Sequence, residues 1–204
     1  EGAGKRVRKV LAAIAASLPA CTAIAQTTYV QAGKLVDVEA GRVLAGQCIT
    51  IDGERIKAVG KCGKPPRGAT IVDWRRYTVL PGLIDLHTHL ADVGQGADIA
   101  EPINTGPAET GFIGAKNARD TLMAGFTTVR DVGTFRVFAD VKLRDAIAKG
   151  LIPGPRMFVA GTYITMPGGG GEINGLPPGT VPPEMRFGVV TTPAEAAAKA
   201  EALF

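Results

Sequence analysis

The chain has 204 residues, 46% hydrophobic and 21% charged, an ordinary globular composition sufficient for one moderate domain or one domain and part of another. Its formal charge of +4 owes much to Lys5, Arg6, Arg8 and Lys9, without which acidic and basic residues balance. No basic patch interleaved with aromatics appears elsewhere, so the composition argues against a nucleic-acid partner.

The first residue is Glu rather than Met. Residues 1–25 read as a bacterial secretory signal, with a charged stretch from Lys5 to Lys9, an apolar stretch from Val10 to Leu18 and a small-residue site at Ala23-Ile24-Ala25. Cleavage is expected after Ala25, giving a periplasmic or secreted protein. The apolar run falls short of the ~20 residues that a membrane span needs. Leu18-Pro19-Ala20-Cys21 is a poorer match to a lipoprotein box, because proline precedes the alanine. Export leaves Cys48 and Cys62 in a compartment that permits a disulfide. A two-residue turn at Gly53-Glu54 would set Cys48 opposite Val59, three positions short of Cys62. A bond therefore requires the strand ends to curl together, and two buried thiols are the alternative.

Residues 26–80 carry short β-type runs between turn residues: Thr28 to Val36, Cys48 to Asp52, Arg55 to Val59, Thr70 to Asp73 and Tyr77 to Leu80. Five short strands imply a small sandwich or open barrel that needs cover from another element.

From Pro81 to residue 204 strands and helices alternate. The run Leu83-Ile84-Asp85-Leu86-His87-Thr88-His89 reads as a strand, followed by a polar, Gly-rich loop from Ala91 to about Gly106. A helix is expected from Pro107 to Ala124, with Phe112, Ala115, Ala118 and Leu122 at helical spacing and Gly125 closing it. Phe126 to Val132 reads as a second strand and Val137 to Lys149 as a second helix with Val137, Val141, Ile147 and Ala148 on one face. Met157 to Ala160 reads as a third strand and Gly161 to Val190 as loop. At the last helix Thr192 caps, Pro193 suits the first position and Glu195 completes a capping box. The fold class is α/β, with a parallel sheet and right-handed crossovers.

His87 and His89 are the chain's two histidines, and residues two apart on a strand project to one side. By the same alternation Leu83 and Asp85 share that side. Paired neutral imidazoles on a rigid element suit zinc and its neighbours. At the carboxyl end of a parallel strand they occupy the place where α/β enzymes build their sites. A catalytic zinc commonly takes three protein ligands, so two histidines do not complete a site. Asp85 either orients a ligand or pairs with a neighbouring strand. Asp131 and Arg130 close the second strand; a structural ion pair between them is the favoured reading, a place in the site mouth the other. Asp92 reads as a solvated loop residue. A metallo-β-lactamase pattern fails, since Ala91 stands where it needs Asp.

The run Thr78 to His89 resembles the metal-dependent amidohydrolase superfamily, and Ile49 to Gly60 resembles its N-terminal β-sandwich. Gly125-Phe126-Thr127-Thr128-Val129-Arg130-Asp131-Val132-Gly133 is similar to the second barrel strand of its imidazolonepropionase-like branch, which includes exported dipeptidases. The resemblance implies the front of a (β/α)8 TIM barrel, about three βα units of a fold that takes ~250 residues, preceded by the small β-sandwich. It implies one or two divalent metals, usually Zn2+, on His87 and His89, with Asp85 behind them. A fourth-strand Lys or Glu, two later histidines and a catalytic Asp are then expected beyond residue 204. The implied reaction is hydrolysis of a C–N bond in small peptides, N-acyl amino acids or cyclic amides, with metal-activated hydroxide attacking a carbonyl. A small-molecule or dipeptide substrate and a homo-oligomer at full length follow, with no membrane span and no nucleic acid. Arg130, Asp131 and the Gly-rich loop at Gly170 and Gly171 are candidates for the substrate side. Alternatives are a catalytically silent truncated chain or a phosphoesterase on a similar barrel. The latter normally follows its histidines with Ser-Asp-Gly, where this chain has Leu90 to Val93.

Overall fold

A computed structural model of the chain describes residues 27–94 and 96–203. The proposed signal segment and Cys21 lie outside those residues. The chain divides into two compact units, one ending at Pro81 and the other running from Gly82.

In the first unit β1 (Thr27–Asp37), β2 (Arg42–Asp52), β3 (Arg55–Lys61) and β4 (Thr70–Val79) form one sheet in the order β3-β2-β1-β4. β1 to β3 are an antiparallel meander, and β4 returns parallel to β1. The two short runs read between residues 70 and 80 are one strand. Its pairing slips between Ala32 and Lys34, and at the slip Gly33 lies so close to Arg75 that a Cβ would sit 2.0 Å from the Arg75 carbonyl oxygen. This is a bulge that only glycine admits. A second slip, between Thr50 and Ile51, advances β3 by one residue and sets Cys48 opposite Gly60 rather than Val59. That residue of advance brings Cys62 within reach, and Cys48 and Cys62 are disulfide-bonded with Cα atoms 4.8 Å apart. Tyr29 secures the same end, its hydroxyl accepting from the Gly63 N–H at 3.0 Å.

In the second unit β5 (Leu83–Thr88), β6 (Phe126–Asp131) and β7 (Arg156–Val159) form a parallel sheet in that order. The first crossover contains a short helix α1 (Glu101–Asn104), inside the stretch expected to be loop, and α2 (Pro107–Met123). The second crossover is α3 (Ala139–Ala148), and α4 (Pro193–Ala202) follows β7 after a long connection with one 3-10 turn at Pro183–Arg186. Ala118, Val129, Leu143 and Met157 pack with Leu90 and Ala91 between helices and sheet. The buried stripe of α2 is Thr110, Gly114 and Ala118, while Phe112 is 76% exposed. Small residues on the inward stripe let α2 approach α3, since a Cβ at Gly114 would lie 3.3 Å from Leu143. α3 starts two residues later than its periodicity suggests because Phe138 is left-handed, at φ 63°. Ala148 is exposed, and the buried residues of α3 are Asp140 and Leu143. At α4 the Thr192 hydroxyl accepts from the Glu195 N–H at 3.2 Å, whereas the Glu195 carboxylate reaches back to Thr191 rather than to the cap residue.

Candidate active site

The three parallel strands end at Thr88, Asp131 and Val159, and the residues immediately after them converge. His87 and His89 are both exposed, with ring centroids 5.3 Å apart and planes at 78°. The His89 Nδ1 lies 2.9 Å from the Gly133 carbonyl oxygen, which follows β6, and 2.9 Å from the Tyr163 hydroxyl, which follows β7. The Tyr163 hydroxyl donates to Asp92 Oδ2 at 2.7 Å, and the Phe135 N–H donates to the same oxygen at 3.3 Å. Asp92 is therefore half-buried and hydrogen-bonded, not a solvated loop residue. Burial holds its carboxyl above the ordinary aspartate range, against the lowering effect of the hydrogen bonds from Tyr163, Val93 and Phe135. The Tyr163 hydroxyl is pushed up by burial and by the neighbouring Asp92.

Arg130 and Asp131 part company, as neighbours on a strand must. Val129 and Asp131 face inward, at 0% and 1% exposure, while Arg130 points outward and donates from Nε to the Leu86 carbonyl at 2.7 Å. Among the described residues the two form no ion pair with each other, which corrects the expectation of one. Asp131 Oδ2 accepts from the Leu90 N–H at 2.6 Å and so pins the backbone just after His89. Among the described residues its Oδ1 is buried without a hydrogen-bond partner, and burial foremost pushes its carboxyl up to about 6. Asp85 Oδ1 accepts from the His87 N–H at 3.0 Å. The pairing of β5 with β6 shifts between Asp85 and Thr88, so the alternation that would carry Asp85 to the side of His87 is interrupted. Asp85 thus meets the backbone of His87 rather than a neighbouring strand.

Gly171 and Gly170 differ. A Cβ at Gly171 would lie 2.6 Å from the Tyr163 Cβ, whereas Gly170 is exposed with nothing near it. Their loop is fixed by Glu172, 8% exposed, which accepts from the Gly168 N–H at 2.6 Å and pairs with Arg186 at 2.7 Å. A separate cavity of about 800 Å3 opens between α2 and α3 and contains neither histidine.

Sequence reading missed Tyr163, and the signal that finds it is positional. In a parallel sheet the residue a few places beyond one strand meets those beyond its neighbours, and Tyr163 follows β7 as His89 follows β5. With Nδ1 of His89 tied to Gly133 and Tyr163, Nε2 is left as that ring's donor toward a cation, and His87 stands beside it. This chemistry fits a divalent metal. Among the described residues no three or more His, Cys, Asp or Glu side chains are gathered closely enough to hold one on their own.

The model of the amidohydrolase family matches residues 78–201. Ochratoxinase from Aspergillus niger is 29% identical over 166 residues, covering 79% of this chain and 34% of that protein. Dihydroorotase from Anaeromyxobacter dehalogenans (strain 2CP-C) is 29% identical over 150 residues, covering 71% of this chain and 30% of that protein. Among solved structures, a Xaa-Pro dipeptidase with methionine bound in its active site superposes with a TM-score of 0.74 at 33% identity, covering 87% of this chain and 45% of that one. The chain thus spans about a third of the curated relatives' length.

Proposed function

This chain belongs to the amidohydrolase family, and from that premise we propose that the protein containing it is a metal-dependent hydrolase of C–N bonds. Small peptides, N-acyl amino acids and cyclic amides are the proposed substrates. The observation that carries the reading is the pair of adjacent imidazoles at the carboxyl end of β5, in the parallel sheet, one of them with Nδ1 already engaged. His87 and His89 would hold the metal, zinc being the proposed ion, together with donors outside this sequence. A bound divalent cation supplies Lewis-acid polarisation of the substrate carbonyl and acidifies water.

The chain's own residues set up that site. Asp85 and Asp131 fix the backbone on either side of the histidines through the N–H groups of His87 and Leu90. Gly133 holds the His89 ring. Arg130, outward-facing, and the loop at Gly170 and Gly171 stand as proposed substrate contacts. Export also belongs to this reading, with cleavage after Ala25 leaving Gln26 first, and the Cys48–Cys62 disulfide suits an oxidising compartment. N-terminal sequencing of the periplasmic form checks it.

The deciding experiment is metal analysis of the protein purified with its natural flanking sequence, alongside hydrolysis of N-acyl amino acids and dipeptides. Zinc content and hydrolysis are both expected, and His87→Ala with His89→Ala should remove most of each. Metal content unchanged in the double variant would overturn the assignment.

A further inference from the structure

We propose that Tyr163, backed by Asp92, is a positioning residue for His89, fixing the proton on its Nδ1 and presenting Nε2 outward; the inference rests on the metal-binding reading above. The hydrogen bonds settle the direction of the relay. A carbonyl oxygen can only accept, so the 2.9 Å contact from His89 Nδ1 to the Gly133 oxygen requires a proton on Nδ1. A protonated Nδ1 has no lone pair left to accept from Tyr163. The tyrosine proton therefore goes to Asp92 Oδ2, at 2.7 Å, and the Tyr163 oxygen becomes a second acceptor for the imidazole N–H at 2.9 Å. Carboxylate, phenol and imidazole form one chain, across 74 residues of sequence between Tyr163 and His89.

The position of Tyr163 is built rather than incidental. Three glycines make room for it. A Cβ at Gly133, where φ is +134°, would lie 2.6 Å from the ring, one at Gly171 would lie 2.6 Å from the Tyr163 Cβ, and one at Gly188 would fall 1.6 Å from its carbonyl oxygen. Phe135 packs edge-on against the ring at 5.1 Å and anchors it to a buried cluster with Ile173 and Met185. A ring held on this many sides has little rotamer freedom, and its hydroxyl is aimed at the histidine. Partners of this kind, one shell behind the ligands, raise the basicity of an imidazole and commonly change metal affinity 10–100-fold when removed.

The test uses Tyr163→Phe and Asp92→Asn in the protein purified with its natural flanking sequence, read two ways. Nitrogen-15 imidazole spectra of metal-free protein report the tautomer, and chelator competition reports zinc affinity. Wild type should show His89 in a single Nδ1–H form. Tyr163→Phe leaves the Gly133 carbonyl as the one remaining acceptor for the Nδ1–H, so it should raise the Nε2–H fraction above that of wild type and weaken zinc about 10–100-fold. Asp92→Asn keeps an acceptor for the hydroxyl without its charge and should lose less. His87→Ala should weaken zinc while leaving the His89 tautomer as in wild type, which separates ligand from positioning residue. Unchanged tautomer and zinc affinity in Tyr163→Phe would overturn the relay even if His87→Ala loses metal. If wild type binds no zinc, the hydrolase reading fails, and the spectra alone decide: a single Nδ1–H form that Tyr163→Phe dissolves sustains the relay, and one that it leaves intact ends it.

Discussion

The two units of the chain keep order by different means. In the first, β1 to β3 pair with their sequence neighbours, and β3 is exposed along its whole length. Its core is small, drawn from Tyr29, Val30, Ala32, Cys48 and Ile49, and a disulfide supplements it. In the second, each strand pairing spans a crossover helix, and the interior includes fully buried polar groups, Asp131, Thr134 and Asp140, each with a hydrogen-bond partner. A sheet tied mainly by the local ladders of β1 to β3 and a covalent bond, with β4 added in parallel to β1, tolerates exposure. A sheet that must aim loop residues at one another fixes those loops with buried acceptors.

The sharpest test of that contrast is truncation in the two places. Met157→Ala, in the packed core of the second unit, should cost about 2–5 kcal/mol. Val59→Ala, on exposed β3, should stay within ~0.5 kcal/mol. Urea midpoints measure both, and comparable losses would erase the distinction between the units. Next in size is the disulfide. Cys48→Ser with Cys62→Ser opens a loop with a sequence separation of 14 and should lower stability by about 3 kcal/mol. Amide exchange should place that loss in β1 to β4 and leave β5 to β7 protected; a loss spread evenly over both would contradict independent ordering.

Buried acceptors come third. Asp140 is fully buried, taking the Gly161 N–H on Oδ2 and the Val141 N–H on Oδ1, each at 2.8 Å. Asp140→Asn turns one of those oxygens into a donor and leaves a buried N–H unpaired, at about 1–3 kcal/mol. Amide exchange at Gly161 and Val141 should quicken selectively.

The same contrast explains what could be read in advance. Strand and helix positions follow from periodicity and from punctuating residues such as Gly125 and Pro193, which act over a few residues. The His87 and His89 pair is legible for the same reason. β4 was read as two strands because its bulge is set by Gly33, some forty residues earlier on the neighbouring strand. Asp92 and Tyr163 were missed as a pair because 71 residues separate them and only the parallel topology brings them together. Phe112 was misplaced because α2 turns small residues inward, and a hydrophobicity pattern gives Gly114 no weight.

The smallest expected effect lies at the start of α4, where contacts are again local. The Glu195 carboxylate accepts from the Thr191 N–H at 2.7 Å and the Thr191 hydroxyl at 2.9 Å, and these bonds hold it below the ordinary glutamate range. A carboxyl whose folded value is depressed stabilises the folded form above its unfolded value and loses that contribution as pH falls through the folded one. The cap should therefore be intact at neutral pH and fail only below the usual carboxylate range. The Thr191 amide resonance should follow that titration, and Glu195→Gln should flatten it. Because Glu195 is exposed, the change should stay confined to the first turn of α4, with the amides of β5 to β7 keeping their protection. A low-pH loss of protection reaching the parallel sheet would mean that the local cap and the long-range core are coupled, and the contrast between short-range and topological ordering would need redrawing.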